Sequence, residues 1–241
     1  MGITSILKKA SRTKSGNNTG QRISITPELR GIKINHKGKE VTISRGSNKD
    51  AQINPLFTKA TRPCPPFCVQ PMIVSSGVET IGELEVLEYL EKSNNDPSIM
   101  TVDTRIKEWA DKGTIPGSVS IPWTRFVNEK GVLQDEIINT LIKQFNAPLL
   151  DDRTEQIISL ALLNSDPSII FDFSEAKILI LYCNGTWCGQ TSHSIKALLK
   201  IGYPAEKLKY YRDGMQGWET LGLTTIAANN VCRIKKPACD V

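Results

Sequence analysis

The chain has 241 residues, 39% apolar and 23% charged, which suits a soluble globular protein of one domain plus an extension or of two small domains. No run of about 18 or more apolar residues occurs, so no transmembrane helix is expected. The net charge of +5 is uneven: residues 1–62 hold 13 Lys and Arg against 3 Asp and Glu, and with Phe57 as their one aromatic and no nucleic-acid motif they suit a solvated tail or an acidic protein partner; nucleic-acid binding is not expected.

Met1 to Gln21 is rich in Lys, Ser, Thr, Asn and Gly without periodicity, which predicts a segment that is disordered or ordered by a partner. It has neither the apolar core nor the cleavage site of a signal peptide, and Ile6 breaks the myristoylation pattern. The expected compartment is therefore the cytoplasm, where cysteines serve catalysis, redox chemistry or metals more often than structural disulfides. From Arg22 to Arg45, Ile23/Ile25, Ile32/Ile34 and Val41/Ile43 alternate, with His36-Lys37-Gly38-Lys39 as a turn. This predicts a small β-hairpin, too small to be stable alone and so packed on the main body. His36 is read as an exposed turn residue, and Ser47 to Lys59 as a linker.

Arg62 to Met72 carries four prolines and the pair Cys64/Cys68. Prolines hold such a strap extended, so the two thiols sit at a defined spacing. The readings are a linker with incidental cysteines, a docking strap with a second dithiol, or half of a zinc site, since Cys-x3-Cys falls within zinc spacings. No metal and no cofactor is expected. The third close pair, Cys232/Cys239, lies in a C-terminal tail.

From Glu79 the pattern becomes α/β. Thr80-x-x-Glu83 reads as a capping box, and Ile81, Leu84, Leu87 and Leu90 predict a helix over Thr80–Lys92. Ile99–Val102 reads as a buried strand ending in Asp103-Thr104-Arg105. Asn128–Ser174 reads as mostly helical, one face marked by Ile137, Ile138, Leu141, Ile142 and Phe145 and another by Ile157, Ile158, Leu160, Ala161 and Leu163. Lys177–Tyr182 is a central strand, Gln190–Lys200 a helix, Lys209–Tyr211 a last short strand, and Asp213–Trp218 a turn entering a short helix that ends by Gly222. Strands alternating with helices predict a mostly parallel sheet covered on both faces, with the reactive site beyond the carboxyl ends of the strands.

Cys183 falls at such an end, and Cys188 closes the loop Cys183-Asn184-Gly185-Thr186-Trp187-Cys188. Backbone N–H groups curled around Gly185 and Gly189, together with the N-terminus of the following helix, are expected to lower the pKa of Cys183. Trp187 either shields the sulfur or packs. Cys188 is a resolving or relay thiol on one reading and a small buried residue on the other; His193, one turn beyond it, reads as a surface or satisfied histidine. A cysteine-dependent phosphatase wants Cys-x5-Arg, and position 189 is glycine. Asp103 and Arg105 are assigned to bracing neighbouring loops, with Arg212 in a supporting position near the site.

Val102-Asp103-Thr104-Arg105, Gly113-Thr114-Ile115-Pro116-Gly117-Ser118-Val119-Ser120-Ile121-Pro122, the Tyr182-Cys183 loop and Tyr211-Arg212-Asp213-Gly214-Met215-x-Gly217-Trp218 together resemble, in order and spacing, the rhodanese-like sulfurtransferase domain. The loop looks closest to a subgroup reading Cys-Asn-Gly-x-x-Cys with an upstream Cys-Pro-Pro-Phe-Cys strap. The resemblance spans about residues 73–226, leaving 1–72 as a basic extension with hairpin and strap and 227–241 as a tail. It implies a parallel sheet flanked by helices, with a helical insertion between Ile121 and Lys177, and a cysteine that carries a persulfide. On this resemblance Cys183 is the nucleophile, Asn184, Gly185, Thr186, Trp187 and Gly189 form the substrate-binding loop, and the partners are a small sulfur donor and a thiol or protein acceptor. Family loops usually carry an arginine where Cys188 stands, which turns the expectation from thiosulfate toward thiol-coupled transfer. The alternative is an interaction module or thiol redox sensor docked to a larger assembly.

Overall fold

The computed structural model describes residues 23–126, 135–150, 170–227 and 230–232. Its centre is a five-stranded, wholly parallel sheet in the order β3-β7-β6-β4-β5. The strands are β3 (Glu79–Ile81), β4 (Ile99–Asp103), β5 (Val119–Ser120), β6 (Ile178–Tyr182) and β7 (Leu208–Tyr211). β6 lies in the middle because its residues are buried on both faces. Leu179 and Leu181 point into one core, Ile180 and Tyr182 into the other, as the two-residue period of a strand requires.

The first core is closed by α4 (Asp135–Lys143) and α5 (Gln190–Lys200), through Ile137, Leu141, Ile195 and Leu198. The second is closed by α2 (Glu83–Lys92) and α6 (Gly214–Thr220), through Val86, Leu87, Leu90, Met215 and Trp218. The expected hairpin is present as β1 (Gly31–His36) and β2 (Lys39–Ser44). Ile32, Ile34, Val41 and Ile43 enter the second core, so the hairpin buries its apolar face against the sheet layer. The short helices α1 (Pro55–Thr58) and α3 (Lys107–Ala110) contribute Phe57 and Trp109 to that side.

Several expectations are corrected. Thr80 and Ile81 belong to edge strand β3, and the helix starts after Gly82, whose N–H donates to Glu85 Oε2 at 3.0 Å. The Thr80-x-x-Glu83 spacing mimics a capping box two residues too early. His36 is buried rather than exposed, because Gly117 N–H donates to its Nδ1 at 3.0 Å, and that burial lowers its pKa. Lys209–Tyr211 is not the last strand: β8 (Thr225–Ala227) and β9 (Asn230–Cys232) form an antiparallel pair across the expected boundary between the domain and the tail at 226/227. The second helical face at Ile157–Leu163, the arm Met1–Gln21 and Cys239 lie outside the described residues. Among the described residues, no helix is long and apolar enough to cross a membrane.

Candidate active site

The site begins where β6 ends. Strand β4 leaves its register beside β6 at Asp103, and the next residues turn across its end. Thr104 N–H and Oγ1 both donate to Tyr182 O, at 3.0 and 2.9 Å. Beneath them, Arg105 forms a buried fork with Asp103, Nε to Oδ1 at 2.9 Å and Nη2 to Oδ2 at 2.6 Å, and Nη2 also donates to Gly113 O at 2.5 Å. Burial opposes the Arg105 charge, but the neighbouring Asp103 carboxylate outweighs it and raises the guanidinium pKa. Tyr182 OH pairs with Ser118 Oγ at 3.0 Å and receives Ile115 N–H at 3.1 Å, and its burial pushes the phenol pKa up. These contacts fix the residue that precedes Cys183.

The loop is then held from above by α6. Met215 N–H donates to Cys183 O at 3.0 Å and Gln216 N–H to Asn184 O at 2.9 Å. Gly214 makes this approach feasible: its φ is +54°, and a Cβ there would collide with Cys183 O and lie 2.9 Å from Gly185 N. Gly214→Ala is therefore expected to destabilise the protein by about 2 kcal/mol or more, from the strained φ and the backbone collision. Urea unfolding compared with wild type checks this, and a change below the scatter of surface substitutions would show that the loop gives way without cost.

Cys183 and Cys188 are both free and buried, and each sulfur has a polar partner on the loop that joins them. The expected ring of N–H donors exists, but its occupant differs from expectation. Asn184 and Gln190 N–H groups and the Asn184 side chain, Nδ2 to Sγ 3.6 Å, turn toward Cys188. The Cys183 thiol, donated toward it, is the largest cause lowering the Cys188 pKa to about 6. Cys183 is raised well above the ordinary thiol range, first by burial and then by the Cys188 charge, with Thr191 N–H and hydroxyl pulling the other way. Its S–H also points at Cys188 O, 3.2 Å away. Of the two, Cys188 is thus the more acidic thiol, beside the N-terminus of α5.

The other predicted residues divide by position. Thr186 O accepts Gln70 N–H at 2.8 Å. Trp187 packs: Arg62 lies 3.7 Å above its ring, Phe67 meets it edge-on with centroids 5.6 Å apart, and its Nε1 donates to Gln216 Oε1 at 2.8 Å. Arg212 turns to the strap, donating to Gln70 O at 3.1 and 2.9 Å. His193 is exposed and contacts Gly189 O and the Trp123 ring. Cys64 and Cys68 are joined in a disulfide, which occupies both sulfurs otherwise free for a metal. Sequence reasoning missed Thr191, whose hydroxyl also meets Thr104 Oγ1 at 2.9 Å, and Gln216. Thr191 carried a usable signal, since the second residue of a helix that starts at a reactive loop directs its N–H back into that loop.

The family model for the rhodanese-like domain matches residues 86–221, more than half of the chain. No curated protein is matched. Solved structures that are matched include the rhodanese-like domain of an Anabaena sp. protein (14% identity, TM-score 0.37, covering 68% of this chain and 86% of that one). A Rhodopseudomonas palustris protein of unknown function, described as a possible tyrosine phosphatase, shares 16% identity at TM-score 0.35, covering 62% and 85%. Thiosulfate sulfurtransferase from Pseudomonas aeruginosa shares 18% identity at TM-score 0.36, covering 64% of this chain and 21% of that one. At these scores the likeness adds nothing about activity. The parallel sheet, the cysteine loop at the end of its central strand and the match over residues 86–221 lead to one statement: the chain belongs to the rhodanese-like domain family.

Proposed function

We propose that this protein is a sulfurtransferase of the cytoplasm in which Cys183 carries a persulfide and passes its sulfane sulfur to a thiol or protein acceptor, with Cys188 as the resolving thiol. The observation that supports this reading is the pair itself, two free and buried cysteines on one loop at the end of β6, with Cys183 Sγ 3.2 Å from Cys188 O and Asn184 Nδ2 3.6 Å from Cys188 Sγ. Cys188 takes the Cys183 proton as Cys183 attacks the outer sulfur of a donor R–S–SH. The bond between the donor sulfurs breaks, R–S⁻ leaves and takes that proton back from Cys188, and Cys183–S–SH remains. An acceptor thiolate that attacks the outer sulfur carries it away. Where no acceptor arrives, Cys188 thiolate attacks Cys183 Sγ, which forms the Cys183–Cys188 disulfide and expels HS⁻.

The donor class follows from the guanidinium groups around the loop. Arg105 is committed to Asp103 and Gly113 O, Arg212 to Gln70 O, and Arg62 to Leu56 O and the Trp187 ring. None is directed at the sulfurs, so a persulfide or polysulfide suits the loop better than dianionic thiosulfate. Intact mass after exposure to inorganic polysulfide tests the reading. A gain of one sulfur, absent in Cys183→Ser, is expected. No gain with polysulfide, organic persulfide or thiosulfate would end it and leave an interaction module.

A further inference from the structure

The loop disulfide formed when Cys188 resolves the persulfide has to be reduced before the next cycle, and it is poorly placed for that. Cys183 and Cys188 are 1% and 4% exposed. An external reductant must bring its thiolate in line with Cys183 or Cys188 Sγ itself, one bond deeper than the outer persulfide sulfur that donor and acceptor meet, so its approach to this buried pair is slow. The strap supplies a second pair at the surface. Cys64 is exposed and Cys68 half-buried.

The strap is also held against the loop that needs reducing. Gln70 N–H is bonded to Thr186 O at 2.8 Å. The Gln70 side chain donates from Nε2 to Cys68 O at 2.7 Å, and the same Nε2 lies 3.4 Å from where a Cβ on Gly189 would sit. Cys68 and Cys188 thus each adjoin one side of a direct contact between strap and loop. Phe67, between the two strap cysteines, packs on Trp187, the residue before Cys188. The two pairs stand in opposite redox states, the strap as a disulfide and the loop as free thiols.

We infer that Cys64 and Cys68 are a relay dithiol, which takes two electrons from an external dithiol and delivers them to the Cys183–Cys188 disulfide. This rests on the sulfurtransferase reading above. The external dithiol reduces the strap disulfide and is itself oxidised to a disulfide. Cys68 thiolate then attacks Cys188 Sγ, forming a Cys68–Cys188 bond and releasing Cys183 as thiolate. Cys64 thiolate attacks Cys68, re-forms the strap disulfide and releases Cys188 as thiolate. The observed arrangement, strap oxidised and loop reduced, is the end of that sequence.

The test uses the full chain with all cysteines reduced, one equivalent of inorganic polysulfide, acid quenching, alkylation and peptide mass mapping. The expected result is one sulfide released per chain in addition to the shortened polysulfide left by loading, with the disulfide at Cys64–Cys68 and the loop thiols free. In Cys64→Ser, a conservative change at an exposed position, a Cys68–Cys188 cross-linked peptide should accumulate. In Cys64→Ser/Cys68→Ser the disulfide should stay at Cys183–Cys188, and turnover on limiting dithiothreitol should fall about tenfold, as an intramolecular reductant at millimolar effective concentration is lost. Strap oxidation at the wild-type rate in Cys183→Ser would overturn the relay, because the polysulfide would then act on the strap directly. Sulfur loading on Cys183 and sulfide release, with the disulfide remaining in the loop of the wild type, would overturn the relay alone. No sulfur on Cys183 would remove both the relay and the activity it serves.

Discussion

Replacing Arg105 with methionine is expected to lower the unfolding free energy by about 3–5 kcal/mol, because it leaves one charge of a buried pair without the other. Asp103 is fully buried and Arg105 1% exposed. The carboxylate would keep the backbone N–H of residue 105 at 3.1 Å, Thr114 Oγ1 at 2.7 Å and Tyr182 OH at 3.2 Å, three neutral donors in place of a guanidinium fork. The loss should be read from guanidinium chloride unfolding at neutral pH. Arg105→Lys restores the charge but not the planar fork or the bond to Gly113 O, so it should recover only part of the difference. Pairing Arg105→Met with Asp103→Leu should recover more than either single change predicts, because no lone charge is then buried. A loss below about 1 kcal/mol for Arg105→Met, the range of an exposed ion pair, would mean that water reaches Asp103.

Cys188→Ser is expected to lengthen the lifetime of a Cys183 persulfide about a hundredfold or more, since it removes an attacking group held on the same buried loop. Stopped samples followed by intact mass would show the added sulfur persisting while wild type returns to its starting mass. The same variant should lose a titration. In the unmodified protein the Cys188 thiolate is expected to form as pH rises through about 6, so ultraviolet thiolate absorbance should climb there and stay high above it. Cys183→Ala should move that climb to higher pH, because the Cys183 thiol is the largest cause of the low value. If the climb near 6 survives in Cys188→Ser, the acidic thiol is the other one, and the roles of the two cysteines exchange.

The strand, loop and helix around Cys183 were legible because each has a strong local signal: five apolar residues in a row, two thiols with a glycine between them, then a helical repeat. Which thiol carries the charge was not. Both sit at the start of α5, and the choice depends on whether the Asn184 and Gln190 N–H groups or the Thr191 N–H and hydroxyl face a given sulfur. That is a matter of how the loop curls, which α6 controls from about 30 residues further along the chain through Met215 and Gln216. Strand β3 was misread because it is three residues long and its pairing partner is β7. Its Thr80 and Ile81 fit a helix pattern equally well when no neighbour is known. His36 was misread for a similar reason: the turn is local, but Gly117, which buries and bonds the ring, is 81 residues away.

The position of the hairpin has a consequence for how the chain comes to be folded. β1 and β2 are made early, yet the groups that cover them are made late. Ser44 N–H is bonded to Thr224 Oγ1 across 180 residues, and Gly46 N–H to Gly222 O. Ile32, Ile34, Val41 and Ile43 share their core with Met215, Trp218, Leu223 and Ile226. On a ribosome the hairpin leaves the exit tunnel with its apolar face bare and waits for nearly the whole remaining chain before that face can close. Such long-range pairing slows folding and prolongs the exposure of sticky surface. Released chains that end before residue 214 should therefore remain susceptible to protease within β1 and β2, and released chains that extend past residue 227 should not.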